Sequence, residues 1–154
     1  MLSNSESSGL DVIPFSTTLH VRDTCLCLHV QRAARALARR FDTAMKPLGL
    51  NNGQFSLMMA LNRPQPAPMG PVANLLAMDR TTLTAALKVL ERRGLVRQTP
   101  DPKDRRGRLL SLTPDGTALL SAALPIWTRV HGELDVELGN GGSDQLRAGL
   151  GAVK

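Results

Sequence analysis

The sequence predicts a mainly α fold carrying one small β-hairpin. Three observations predict it. Apolar residues recur in steps of three or four along residues 24–48, 79–94 and 113–138. Asn51 or Asn52, Asp79 and Thr113 stand where helices need a side-chain acceptor for their first free amides. One stretch has the makeup of paired strands: β-tolerant at 95–99, turned by Thr-Pro-Asp-Pro at 99–102, and apolar again at 109–112.

Taken in order, residues 1–19 lack periodicity and Pro14 interrupts any helix there, so an N-terminal arm is expected. Residues 20–48 hold a long amphipathic helix from Thr24. Leu26, Val30, Ala33, Leu37, Phe41, Ala44 and Leu48 form its stripe, with Arg32, Arg35, Arg39 and Arg40 between them. Gly49 ends it. Residues 49–113 form the next unit, where Asn51 or Asn52 caps a helix over 53–61 with Phe55, Leu57, Met58 and Leu61 as core candidates. Four prolines and a glycine make 62–71 a connector. A short helix at 72–77 precedes a longer one capped by Asp79, in which Leu83, Leu87 and Leu90 bury one face and Gly94 is the stop. Short helix, tight turn and capped longer helix make a helix-turn-helix, and the hairpin directly after it makes a winged one.

Residues 114–154 complete the chain. Thr113 caps a helix with Pro114 at its first position, where a missing amide costs nothing. Leu119, Leu120, Ala123, Leu124, Trp127, Val130, Leu134 and Leu138 carry its stripe, and Pro125 should bend it. After a loop at 139–142, Ser143 is expected to cap a last helix faced by Leu146, Leu150 and Val153. These end helices are too long and too apolar to pack on a small winged helix alone. A second copy is the expected cover, so 20–48 and 114–154 are read as dimerisation helices.

Charge locates the working surface. Between Arg80 and Arg108 nine lysines and arginines face three acids, a surplus of six that equals the net charge of the whole chain, +6. Outside that segment ten basic residues face ten acidic ones. The free face of the Asp79 helix carries Arg80, Thr81, Thr84, Ala85 and Lys88, and the hairpin tip reads Lys103, Asp104, Arg105, Arg106, Gly107, Arg108. Positive charge concentrated on one helix and one hairpin is the footprint of a double-stranded DNA reader. With no Tyr, one Trp and three Phe, the chain lacks the stacking platforms that single-stranded nucleic acid needs.

Other classes find less support. At 154 residues and 42% hydrophobic content the chain is about one domain and not disordered. No apolar run approaches the ~20 residues of a membrane span, and the Ser-rich start is unlike a signal peptide, so a cytoplasmic protein is expected. Cys25 and Cys27 make no disulfide framework, and no Cys/His spacing suits zinc. No metal, no cofactor and no catalytic residues are expected.

The residues resemble the multiple antibiotic resistance regulator (MarR) family of bacterial winged-helix repressors. The stretches that carry the resemblance are LGLNNGQFSLMMAL at 48–61, VANLLAMDRTTLTAALKVLERRGLV at 72–96 and DRRGRLLSLTPDG at 104–116. The resemblance implies a homodimer with interlocking end helices, two winged helices that read a pseudo-palindromic operator, and a small-molecule effector or oxidant that loosens DNA binding. By position, Asp104 is similar to the aspartate that braces the family's wing, and Arg106 to the arginine that enters the minor groove, with Arg105 and Arg108 beside it. Arg80, Thr81, Thr82, Thr84 and Lys88 fall where the family meets the major groove and flanking phosphates. A narrow minor groove favours a guanidinium, and hydroxyls at a helix start can donate to phosphates or bases.

Cys27 sits where the organic-hydroperoxide-sensing branch of that family carries its reactive cysteine, but the chain has no tyrosine and no resolving cysteine elsewhere. On one helix Cys25 and Cys27 would point about 200° apart and could not readily pair with each other. Packing is one reading of these thiols, and a redox-sensing repressor acting through Cys27, by an intersubunit disulfide, is the other. His20, His29 and His131 show no ligand spacing, and His29 could line an effector pocket. Two rivals lie in other classes: a protein-binding winged helix, and an enzyme using Cys27 with His29 or His131 as base.

Overall fold

Pro14, expected to interrupt a helix, starts one. The computed structural model describes residues 12–153, and in it Pro14 is the N-cap of α1 (Phe15–Thr24), its φ of −58° already suited to helix entry. The arm expected over 1–19 is thus helical from Phe15, and its first eleven residues lie outside the described part. Cys25 then leaves helical geometry, with ψ at 109°. Its carbonyl accepts from the His29 amide at 3.1 Å and lies 2.8 Å from His29 Nδ1, so it opens α2 (Leu26–Met45). The single helix expected over 24–48 is therefore broken at Cys25, and it ends in a 3-10 turn, Lys46–Leu48, where Pro47 has no amide for the α-helical ladder.

The chain divides into two units, residues 1–36 and 37–154. In the first, α1 buries no residue and Leu26 and Val30 are exposed, so this half of the predicted stripe is uncovered. Cys25 and Cys27 do not share one helix as expected. Cys25 sits at the break, partly buried, and Cys27 is exposed on α2.

The second unit holds the core. Phe41 and Met45 from the end of α2 join Phe55, Leu57 and Met58 of α3 (Asn52–Ala60), Val72 of α4 (Met69–Leu76), and Leu83, Leu87 and Leu90 of α5 (Arg80–Arg92). Each fully buried leucine is worth about 1.5–3 kcal/mol over exposure, so the α5 stripe alone commits that helix to the core. A reciprocal cap sets α3: the Asn51 side chain accepts from the Gln54 amide at 2.8 Å, and the Gln54 side chain accepts from the Asn51 amide at 3.1 Å. α4 begins three residues before the expected 72, because Pro71 in its first turn forfeits no helical bond.

The sheet has one more strand than expected. β1 (Ala67–Pro68), inside the proline-rich connector, pairs antiparallel with Leu109 and Leu110 of β3 (Asp104–Leu112), and β2 (Val96–Asp101) lies on the other side, in the order β1-β3-β2. The hairpin is also tighter than expected. Asp101 pairs with Asp104, leaving Pro102 and Lys103 as the turn, so Arg105, Arg106 and Arg108 lie on a strand rather than in a tip loop.

α6 (Pro114–Leu138) starts as predicted, with the Thr113 side chain accepting from the Gly116 amide at 3.0 Å. It stays one helix through Pro125. Ser143 does not cap α7 (Gly142–Gly151). Gly141, at φ +73°, takes that position, since Gly139 and Gly141 turn the chain earlier, and the Ser143 hydroxyl bonds Asp135 from the first turn. Arg40 on α2 donates to Glu137 at 2.7 Å and to Glu133 at 3.1 Å, bracing the end of α2 against α6.

Candidate nucleic-acid interface

The surface is built around how α5 begins. Ala77 closes the turn after α4 in the left-handed region, at φ 51° and ψ 39°, the one described non-glycine residue there. Two residues on, the Asp79 carboxylate accepts from the Thr82 amide at 2.8 Å and from the Thr82 hydroxyl at 2.7 Å. The amide first and the hydroxyl second hold that carboxyl below the usual aspartate range. With Leu83, Leu87 and Leu90 fully buried beneath, Arg80, Thr81, Thr84, Ala85 and Lys88 line an open groove of about 340 Å³ on the opposite face. Thr82, expected among them, does not line it.

The threonines differ chemically. The Thr82 proton goes to Asp79, and the Thr84 hydroxyl donates to the Arg80 carbonyl at 2.7 Å. Thr81 is exposed and makes no such bond among the described contacts.

The far end of α5 is locked to three neighbours. Gly94, at φ +70°, lets the Leu95 amide reach back to the Leu90 carbonyl at 3.0 Å. The Thr113 hydroxyl donates to the Gly94 carbonyl at 2.6 Å, Gln98 of β2 donates to Glu91 at 3.2 Å, and Arg93 donates to the Gly49 carbonyl at 2.9 Å. Composition and periodicity give no signal for these links, because each joins residues far apart in the chain or rests on side-chain direction.

The wing is braced by its two aspartates. Asp101 accepts from the Lys103 amide at 2.8 Å, and Asp104 accepts from the Arg106 amide at 3.0 Å. Both pack into the space left by Gly107, where an added Cβ would sit 3.1 Å from Asp101 Cβ and 3.2 Å from Asp104 Cβ. Arg105, Arg106 and Arg108 are all exposed on β3, whose pairing with β2 shifts register between Pro100↔Arg108 and Asp101↔Asp104, so Arg105, Arg106 and Gly107 fall in an irregular stretch at the wing's end.

Charge is concentrated on this surface, with nine lysines and arginines against three acids between Arg80 and Arg108 and ten against ten elsewhere in the chain. Arg22, Arg40, Arg129 and Arg147 each pair with a carboxylate. Among the described residues Arg80, Lys88, Lys103, Arg105, Arg106 and Arg108 pair with none. These unneutralised cations, next to a helix face without carboxylates, can bind phosphates.

Residues of α3, α4 and α6 line an apolar groove of about 400 Å³, among them Phe55, Met59, Leu75, Leu124 and Trp127. Trp127 stacks on Phe55 at 6.4 Å between ring centroids and meets His131 at 4.3 Å. His29, considered for such a pocket, is not among its lining residues. No helix among the described residues is long and apolar enough to cross a membrane.

Known proteins share this architecture. The MarR family profile matches residues 48–107. The chain is 33% identical to the HTH-type transcriptional repressor NicR of Pseudomonas putida, over 77% of this chain and 72% of that protein. It is also 33% identical to the transcriptional activatory protein BadR of Rhodopseudomonas palustris over 59% of this chain, and it spans about half, 54%, of that protein. The solved structure of the M. tuberculosis transcriptional regulator MosR in complex with DNA superposes with a TM-score of 0.74 at 36% identity, covering 83% of this chain and 94% of that one.

Proposed function

Since the chain belongs to the MarR family of transcriptional regulators, we propose that it is a sequence-specific, double-stranded DNA-binding repressor, acting in the cytoplasm as a homodimer on a pseudo-palindromic operator. The observation that carries this reading is the concentration of charge: nine lysines and arginines face three acids between Arg80 and Arg108, and Arg80, Lys88, Lys103, Arg105, Arg106 and Arg108 make no ion pair among the described residues. Arg80, Thr81 and Lys88 meet the major groove and its phosphates, and Arg106, set by Asp104, enters the minor groove. Arg105 and Arg108 add phosphate contacts. Two copies place two such helices about 34 to 36 Å apart, one turn of the duplex. The cover that the dimer needs is available. Leu138, Leu146 and Leu150 are each about half-exposed, and Val136 and Val153 more so.

Release comes from an effector in the groove of Phe55, Met59, Leu75, Leu124 and Trp127. No charged side chain lines that groove, which favours an apolar, aromatic ligand. Selection of duplexes from a random library by the purified protein tests the DNA role. A recovered inverted repeat supports it, and recovery of no duplex removes it. The exposed thiol of Cys27 supports a second reading, in which two Cys27 thiols give up two electrons and two protons to a peroxide and form an intersubunit disulfide. Peroxide that releases the wild type but not Cys27→Ser from the selected duplex would favour it.

A further inference from the structure

We infer that Arg93 is a positioning residue that sets the angle of the reading helix α5 by tethering its C-terminal end to Gly49, an inference that rests on the DNA-reading role proposed above. Arg93 is the C-cap of α5, and its Nη1 donates to the Gly49 carbonyl at 2.9 Å across 44 residues of sequence. The acceptor is anchored. The Gly49 amide donates to the Lys46 carbonyl at 2.9 Å, and the next residue, Leu50, is 4% exposed and donates its amide to the carbonyl of buried Met45 at 3.4 Å.

Gly49 is shaped for this contact. It adopts φ +65°, which L side chains rarely take, and a Cβ added there would lie 3.3 Å from Arg93 Nη2, close enough that the guanidinium would have to shift by a few tenths of an ångström. The adjacent Arg92 has no such partner, its Nε reaching only the Lys88 carbonyl of its own helix at 3.3 Å. Of two neighbouring arginines, one is therefore committed to position.

Leverage explains why this contact matters for reading. Burial of Leu83, Leu87 and Leu90 holds α5 to the core, but burial has no direction, whereas a hydrogen bond at the helix end does. The 13 residues of α5 span about 20 Å, so a tilt of about 3° at Arg93 moves Arg80 by about 1 Å. That shift is enough to misalign base contacts while leaving phosphate attraction in place.

The test uses the full-length protein, a duplex selected by the wild type, the same duplex with one base pair inserted between its half-sites, and a random-sequence duplex. Arg93→Met should keep the circular dichroism spectrum and random-duplex binding, lose about tenfold in affinity for the selected duplex, and discriminate less against the inserted one. Arg93→Lys, which keeps a donor, should recover part of the loss. Arg92→Met removes the same charge and should shift binding to both duplexes by one factor. Unchanged selected-duplex affinity and spacing preference in Arg93→Met would overturn the tether, and so would an equal loss on selected and random duplexes. Should Arg93→Met fail to fold, Arg93→Gln carries the same comparison. A wild type that selects no duplex would instead remove the DNA-reading role itself.

Discussion

The Asp79 carboxylate accepts both the amide and the hydroxyl of Thr82. The hydroxyl proton is thereby spent inside the protein, while that of Thr81 is not. Thr82→Ala should lower the melting temperature with little effect on duplex affinity. Thr81→Ala should leave melting alone and weaken the selected duplex by about 1 kcal/mol, the net worth of a hydrogen bond. Thermal melts paired with mobility-shift titrations check both, and equal affinity losses from the two would contradict the distinction.

Gly116 allows α6 to start against the end of α5. A Cβ there would fall 2.0 Å from the Leu95 carbonyl oxygen, which accepts from the Thr113 amide at 3.1 Å. The obstacle is backbone, so nothing flexible can move aside. Gly116→Ala should cost about 3 kcal/mol, at the upper end for an overpacked site. Urea unfolding measures it, and a loss below about 1 kcal/mol would show that the junction is looser than described.

Arg40 holds Glu133 and Glu137 below the usual glutamate range of 4.5, through its hydrogen bonds to each, with Arg129 assisting at Glu133. Groups with depressed folded pKa contribute stability that is present above their unfolded value and lost as pH falls through the folded one. The brace between α2 and α6 should therefore persist from neutrality down to about 4.5 and fade below it. Melting of wild type and of the Glu133→Gln, Glu137→Gln double variant across that range checks this. The two should differ at neutral pH and converge in acid.

Much of this was legible beforehand, and the failures have physical causes. Leu83, Leu87 and Leu90 betray α5 because three buried positions at helical spacing fix a face, and Asp79 and Thr113 mark starts because an acceptor three residues ahead of a free amide has few other uses. β1 was not legible, since two residues cannot display an alternation. The break at Cys25 was hidden because apolar spacing continues across it, and it rests on the carbonyl shared with His29. At the site, residue types gave the cations. Which hydroxyl is free, which arginine is a tether and where the wing's pairing breaks register needed coordinates.

Half-exposed Leu138, Leu146 and Leu150 provide the test of assembly. Leu150→Asp should shift the protein toward monomer in sedimentation velocity and lower duplex affinity, because a charge placed in a buried interface goes unpaired. A monomeric wild type would contradict the homodimer, and a dimer indifferent to Leu150→Asp would place its interface elsewhere.

Salt dependence of duplex binding tests the central claim most directly, that the unpaired cations of α5 and the wing grip phosphates. The logarithm of affinity should fall linearly with the logarithm of salt concentration, with a slope of about −4 or steeper, as about five neutralised phosphates give. Arg106→Ala should cost about 1–3 kcal/mol and flatten the slope by about one if it also neutralises a phosphate. A wild type that ignores duplexes in dilute buffer, or binds them with no slope, would contradict it.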